Sequence, residues 1–233
     1  MNILKLYVEE GEKQKELFFK LRRMVNAGYT GRDSQKVKKH IEELGKEGIP
    51  PPESIPMIYE IISKLIYFDE EIEVIGNKTS GEAEFVLLCT GEDVFIGVGS
   101  DHTDRELEKV SIIKSKQICP NMRSRNVWNY EEVKEQWDEM ILRGWVKDEN
   151  GEKCLYQEAP LSTIMSPKDL IGFVEDKLDD KNLDGLIIYS GTVAIITEKI
   201  IYSDYFEAEL YNPKTNRKLT CAYKANSLNY LIR

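Results

Sequence analysis

Residues 82–105, EAEFVLLCTGEDVFIGVGSDHTDR, decide how this chain reads. Two runs rich in β-branched and aromatic residues, Glu84 to Leu88 and Val94 to Val98, flank the turn formers Thr90-Gly91-Glu92-Asp93, which is the pattern of short strands rather than of helix. Alternate side chains of a strand share a face, so Glu82 and Glu84, at the mouth of the first run, can aim two carboxylates at one point. Asp101 follows the second run, and if the two runs pair as a hairpin its carboxylate joins them. Three carboxylates completed by water suit a hard cation such as Mg²⁺ or Mn²⁺, with Ca²⁺ as the alternative. Taken alone the pattern says little, because Glu-x-Glu recurs at Glu71-Glu73, Glu106-Glu108 and Glu207-Glu209, and an alternating acidic strand face is usually just wet.

On the N-terminal side, residues 3–8 alternate as a strand, and Leu17 to Ala27 is expected to form another that ends at the turn Gly28-Tyr29-Thr30-Gly31. Val37, Ile41 and Leu44 fall at i, i+4 and i+7 and predict a helix from Lys36 to Gly45. Ile49-Pro50-Pro51-Pro52 forces an extended link before a second apolar helix, expected over about Pro56 to Tyr67. From Ile72 onward the chain is mostly strand-like, interrupted by two helices that carry their own start signals. Asn129 has Glu132 three residues on, and Ser166 is followed by Pro167 and Asp169. Apolar stripes follow, Val133, Trp137, Met140 and Ile141 on one, Leu170, Phe173, Val174 and Leu178 on the other. Leu186 to Tyr189, Val193 to Thr197, Tyr205 to Tyr211 and Lys218 to Tyr223 read as strands, the last two joined as a hairpin through Asn212–Asn216. Strands outnumber helices and do not alternate with them, which predicts a mainly β, α+β fold rather than a doubly wound parallel sheet.

The 233 residues, 41% apolar and 31% charged, fit one folded domain at about 100 to 200 residues per domain. A net charge of −9, from 41 acidic and 32 basic residues, disfavours a polyanionic partner, so no nucleic acid is expected. Arg22-Arg23, Lys36-Lys38-Lys39 and Arg123-Arg125 are short basic clusters flanked by acids and read as solvated faces. Cys89, Cys119, Cys154 and Cys221 lie far apart without a Cys-x-x-Cys pair, which indicates neither a disulfide framework nor a thiolate zinc site. No basic-apolar-small leader and no run of 18 apolar residues occurs, so a cytoplasmic protein without a membrane partner is expected.

Nucleotide and serine-hydrolase readings lose support, because no phosphate-cradling loop and no Gly-x-Ser-x-Gly elbow is present and Gly97-Val98-Gly99 lacks a third glycine. Of the two histidines, His40 has Glu43 three residues later, which on a helix lets the carboxylate orient the imidazole as in a general-base dyad. An exposed His-Glu pair on a Lys-rich helix is more often a neutral surface feature. His102 reads as a packing residue or a support for the carboxylates.

The order of these pieces resembles the fumarylacetoacetate hydrolase superfamily, from about Tyr29 to the end. Tyr29-Thr30-Gly31-Arg32-Asp33 is similar to its early Gly-Arg-Asn-Tyr turn, and His40-x-x-Glu43 to its His-x-x-Glu dyad. Glu82-Ala83-Glu84-Phe85 resembles its metal-binding Glu-x-Glu-Leu strand, and Ser100 to Glu108 its Asn-Asp-x-Thr-Ala-Arg-Asp-x-Gln segment. Lys114-Ser115 before Cys119-Pro120 looks like its Lys-Ser-Phe run, and Gly191-Thr192 like its Gly-Thr-Pro turn. The chain departs from the pattern in three extra residues between Arg32 and His40, a shorter stretch from Glu84 to Asp101, Glu108 in place of Gln, and Val193 in place of Pro.

The resemblance implies a mixed β-sandwich or β-roll with short peripheral helices, made of N-terminal strands (1–28), a helical lid region (29–70) and a β-rich metal-binding core (71–233). It implies a homodimeric hydrolase or lyase, of an uncharacterised bacterial branch, acting on a small 2-oxo or 1,3-dicarbonyl acid. Glu82, Glu84 and Asp101 would hold the metal, and no organic cofactor is called for. His40, oriented by Glu43, would move a proton or activate water. Lys114 and Arg105 would pair with substrate charge, and Arg32, Glu108 and Thr192 would complete the substrate contacts. The alternative is a binding module that keeps the metal and the oxo-acid pocket without turnover.

Overall fold

In the computed structural model the strands Ala83–Cys89 and Val94–Asp101 pair antiparallel, in register from Ala83 opposite Ser100 to Cys89 opposite Val94. The structure describes residues 2–11, 13–46 and 48–231, without the side chains of residues 40, 43, 44 and 46. The hairpin lies in the middle of a ten-stranded sheet and is buried on both faces: Phe85, Leu87 and Ile96 point into one core, Val86, Leu88 and Phe95 into another. Burial on both faces explains why these strands read as continuous apolar runs instead of alternating ones.

The strand order of the large sheet is Lys13–Leu21, Asn2–Glu10, Asn126–Asn129, Val94–Asp101, Ala83–Cys89, Leu186–Tyr189, Arg23–Gly28 and Met57–Ile61. Lys13–Leu21 and Arg23–Gly28 are separated by the single residue Arg22, yet the first opens this order and the second stands next to its last strand. The sheet therefore curls until its ends meet, and Leu6, Phe19, Met24, Val86, Leu88 and Ile187 fill the inside of the roll. A five-stranded sheet, ordered Lys153–Pro160, Ile141–Lys147, Tyr205–Asn212, Arg217–Ser227 and Glu71–Val74, packs on the outer face. Leu142, Val146, Phe206 and Leu210 meet Phe85, Leu87 and Ile96 there. Parallel pairs, such as Leu186–Tyr189 with Arg23–Gly28, mix with antiparallel ones, so the molecule is the mainly β, α+β fold expected.

The helix caps behave as their chemistry predicts. The Asn129 side chain accepts from Glu131 N, and Ser166 accepts from Asp169 N with Pro167 opening the helix Pro167–Lys177. Four expectations are corrected. The apolar stretch after the prolines is not a helix but the strand Met57–Ile61, a short 3₁₀ turn and the strand Ile66–Tyr67; pairing of Met57–Ile61 with Arg23–Gly28 buries Tyr59 and Ile61 on one face and leaves Glu60 outside. Leu17 to Ala27 is two strands, because the chain changes edges of the roll at Arg22. Val193 to Thr197 contributes only the bridge of Ile195 with Gln157, and the segment after Asn129 is a single α-turn continued by the 3₁₀ helix Lys134–Glu139.

Gly97 and Gly99 serve packing. A Cβ on Gly99 would lie 2.3 Å from Met122 O, so the bare backbone is what lets the strand Asn121–Arg123 pair alongside.

Candidate metal centre

Glu84 lies in the strand Ala83–Cys89, Glu82 just ahead of it, and Asp101 ends the partner strand, tied across by Asp101 N donating to Glu82 O at 3.2 Å. The hairpin register thus gathers three residues from the two ends of residues 82–101 into one cluster, with a ligand atom of each within 4.8 Å of the others. Glu84 and Asp101 are buried and Glu82 is half-buried. Two cations partly balance them. Lys116 Nζ pairs with Asp101 and lies 3.5 Å from Glu82 Oε2. Arg105 reaches Glu82 Oε1 at 3.2 Å, Glu108 at 2.9 Å and Ser80 Oγ at 2.8 Å. Asp104 sets up this reach by capping the turn Arg105–Glu108 through Glu106 N and Leu107 N, which stacks Arg105 and Glu108 three residues apart.

The titration behaviour follows from this uneven compensation. Burial alone would raise Glu82, but Arg105 and Lys116 outweigh it and hold the carboxyl at about 2. Burial, reinforced by Asp101, pushes Glu84 well above the usual carboxylate range, and the opposing pull of Lys116 is too weak to hold it down. Burial also raises Asp101, with Lys116 pulling the other way. Among the described residues Asp101 Oδ1 is buried without a hydrogen-bond partner, a costly state for an acceptor. Converging hard oxygen donors, an orphaned carboxylate oxygen and an undercompensated buried acid together fit a divalent cation.

Distant residues fix the ligands. Gly191 N donates to Glu84 Oε2 at 2.9 Å from a left-handed conformation (φ +81°), and a Cβ there would lie 2.7 Å from Thr30 Oγ1, so glycine is required. Gln157 accepts from Ala83 N at 3.0 Å and donates to Val193 O at 2.6 Å, clamping the backbone between the two glutamates. Behind Asp101, Ser100 Oγ accepts from Glu82 N, Tyr223 OH bonds Ser100 Oγ at 2.9 Å, and His102 Nδ1 bonds Tyr223 OH at 2.8 Å. Burial, aided by Arg105, lowers His102 to about 3, so its imidazole is neutral.

Glu82, Glu84, Asp101, Arg105 and Glu108 therefore come together. Lys114 does not: it is exposed, and Lys116 is the lysine of the cluster. Two residues on a helix turn about 200°, and the inward positions of Ile112–Ile118 include Ser115 and Lys116. Thr192 sits beside the centre, but its hydroxyl donates to Ala83 O at 2.9 Å and accepts from Gln157 at 2.7 Å, so it holds backbone. Arg32 turns elsewhere, donating to Ile164 O at 2.7 Å and bidentately to Asp138 at 3.0 and 2.6 Å. His40 and Glu43 lie on the helix Ser34–Lys46, and their side chains are outside the described residues. Sequence reasoning missed Lys116, Gln157 and Tyr223 as parts of the centre; of these only Lys116 had a local signal, the i, i+3, i+4 and i+7 phase of Ile112, Ser115, Lys116 and Cys119. It also missed the phenol of Tyr29, a non-glycine at φ +56°. Burial raises that phenol to about 12, and Tyr59 and Glu108 add to the rise.

Residues 27–223 match the family model of the DUF2848 proteins of unknown function. No curated protein matches the chain in sequence. Among solved structures the chain is similar to the protein Cg1458, with 15% identity and a TM-score of 0.65 over 94% of this chain and 83% of that one. It is also similar to 2-keto-3-deoxyarabinonate dehydratase, at 12% identity and a TM-score of 0.65 over 94% of this chain and 79% of that one. An uncharacterized protein from Mycobacterium abscessus shares 15% identity and a TM-score of 0.62 over 97% of this chain and 92% of that one. At these identities the likeness is one of fold, and the fold is the fumarylacetoacetate hydrolase-like one that the sequence resemblance implied.

Proposed function

The chain belongs to the DUF2848 family, and from its carboxylate centre we propose that the protein is a divalent-metal-dependent hydrolase or lyase of a small 2-oxo or 1,3-dicarbonyl acid within the fumarylacetoacetate hydrolase superfamily. The observation that carries this reading is the largely buried Glu82-Glu84-Asp101 cluster, with Asp101 Oδ1 unpartnered among the described residues. Mg²⁺ or Mn²⁺ held by these three residues would supply Lewis-acid stabilisation of negative charge that develops on substrate oxygens. Arg105, with nitrogens on Ser80, Glu82 and Glu108, fixes the direction of Glu82. Lys116, beside Asp101 and Glu82, takes over the role expected of Lys114 as the cation that would pair with a substrate carboxylate. His40, which has Glu43 three residues later in the sequence, is assigned the proton-transfer role. Attack of water on a carbonyl gives C–C bond hydrolysis; without that attack the same site would support decarboxylation with loss of CO₂, tautomerisation by proton transfer, or hydration and dehydration, in which water adds or leaves. The fold shared with a keto-acid dehydratase supports the lyase arm. The protein is taken to work in the cytoplasm as a homodimer.

Titration calorimetry of chelator-treated protein with Mn²⁺ and Mg²⁺, with and without oxalate, tests the reading. Binding by the wild type that oxalate strengthens, and that Glu82→Ala/Glu84→Ala abolishes, is expected; no binding under either condition refutes it. His40→Ala should lose turnover of the oxo-acid substrate while keeping oxalate affinity. Absence of wild-type turnover across oxo acids, with metal and oxalate still bound, selects the binding module instead.

A further inference from the structure

Lys116 and Arg105 neutralise the centre in different ways. Arg105 approaches Glu82 from the Glu108 side and takes Oε1, while Lys116 contacts Asp101 Oδ2 and Glu82 Oε2 at once. Lys116 therefore holds two of the oxygens that the ligand set offers, on two of its three residues. Its side chain is only 8% exposed, so water does not stand in for it. Its stem rises from the second half of the helix Ile112–Ile118, and a four-carbon chain with rotatable bonds can withdraw without the helix moving. Lys116 leaves Asp101 Oδ1 open, but a divalent ion drawn there and to Glu82 would stand beside the ammonium on the same two carboxylates, where like charges repel strongly because water is excluded.

Resting on the metal-centre reading above, we propose that Lys116 competes with the divalent cation for Asp101 and Glu82, so that metal entry displaces the lysine and the lysine sets the metal affinity of the centre. The lysine acts as an internal counter-ion that keeps the carboxylates together before the metal arrives. Without it, Arg105 is the one cation left beside these acids among the described residues, and the more negative centre draws the metal harder.

The test is Mn²⁺ titration calorimetry on the full chain, at one pH, for wild type, Lys116→Met, Lys116→Gln and Lys116→Arg, with folding checked by circular dichroism. Lys116→Met and Lys116→Gln are expected to bind Mn²⁺ at least tenfold more tightly at unchanged stoichiometry, and to melt below wild type without metal but not with it. Lys116→Arg keeps the competing charge and should stay within about threefold of wild type. Unchanged or weaker binding in folded Lys116→Met and Lys116→Gln overturns the competition while leaving the centre intact. No binding by any of the folded chains overturns the metal reading itself. In the wild type alone, acylation of Lys116 by an amine-directed reagent, read by peptide mass spectrometry, should rise when Mn²⁺ is added; unchanged labelling beside confirmed Mn²⁺ binding counts against displacement even if the neutral variants fail to fold.

Discussion

Gly99→Ala drives a methyl group into the seam between the strands Val94–Asp101 and Asn121–Arg123. The added Cβ would stand 2.3 Å from Met122 O and 3.0 Å from both Tyr189 Cε1 and Val86 Cγ2. A carbon and a carbonyl oxygen ordinarily approach no closer than about 3.3 Å, so the neighbouring strand has to retreat by about 1 Å. That retreat stretches the pairing of Arg123 with Gly99, Met122 with Ser100 and Asn121 with Asp101. Overpacking of a filled core costs about 1–3 kcal/mol, and each weakened backbone hydrogen bond about 1 kcal/mol more. The expected loss is about 3–5 kcal/mol, a large share of the 5–15 kcal/mol or so that separates a native domain from its unfolded chain. Gly172→Ala is the matched control: it lies within the helix Pro167–Lys177 with nothing within 4 Å of the added methyl, and should gain about 0.5–1 kcal/mol. Urea unfolding of the metal-free proteins at constant m-value measures both. A Gly99→Ala midpoint indistinguishable from wild type would refute the packing argument, and equal effects of the two substitutions would show that glycine flexibility, not space, was being read.

Arg105→Met strips the cation from a nearly buried group of acids and should cost about 3–5 kcal/mol by chemical denaturation, with Arg105→Lys recovering little because one ammonium cannot reach Ser80, Glu82 and Glu108 together. Gln157→Leu leaves Ala83 N and Val193 O without their partner and should cost about 2–4 kcal/mol, with Mn²⁺ affinity falling as the backbone between Glu82 and Glu84 loosens. Burial alone would raise Glu207, but Lys153 at 2.7 Å and Tyr205 outweigh it and hold the carboxyl below its ordinary 4.5. Its contribution is therefore present above about pH 4.5 and lost as pH falls through the lowered native value. The stability gap between wild type and Glu207→Gln should be at most about 1 kcal/mol near neutrality, since Lys153 is exposed, and should close in acid. Saturating the centre with Mn²⁺ at about 100 times Kd should stabilise the wild type by about 2.7 kcal/mol in the same unfolding assay, and Glu82→Ala/Glu84→Ala by nothing.

By itself the sequence determined what depends on near neighbours. The period of a strand put Glu82 and Glu84 on one side, a short turn brought Asp101 back to them, and the hydroxyl and amide chemistry of Ser166 and Asn129 started the segments that follow them. These outcomes rest on steric and hydrogen-bonding preferences acting over a few residues. Tertiary structure decided what such preferences leave balanced. The seven residues of Ile112–Ile118 are equally helical with Lys114 or Lys116 turned inward, and burial of Ser115 and Cys119 against the sheet chose Lys116. Met57–Ile61 has the composition of either helix or strand, and the open edge of Arg23–Gly28 made it a strand. The support of Glu84 by Gly191 and the clamp of Gln157 on Ala83 join residues more than 70 positions apart. Their geometry comes from burying the two faces of one curled sheet, where a polar group must find a partner from whatever strand the topology brings alongside.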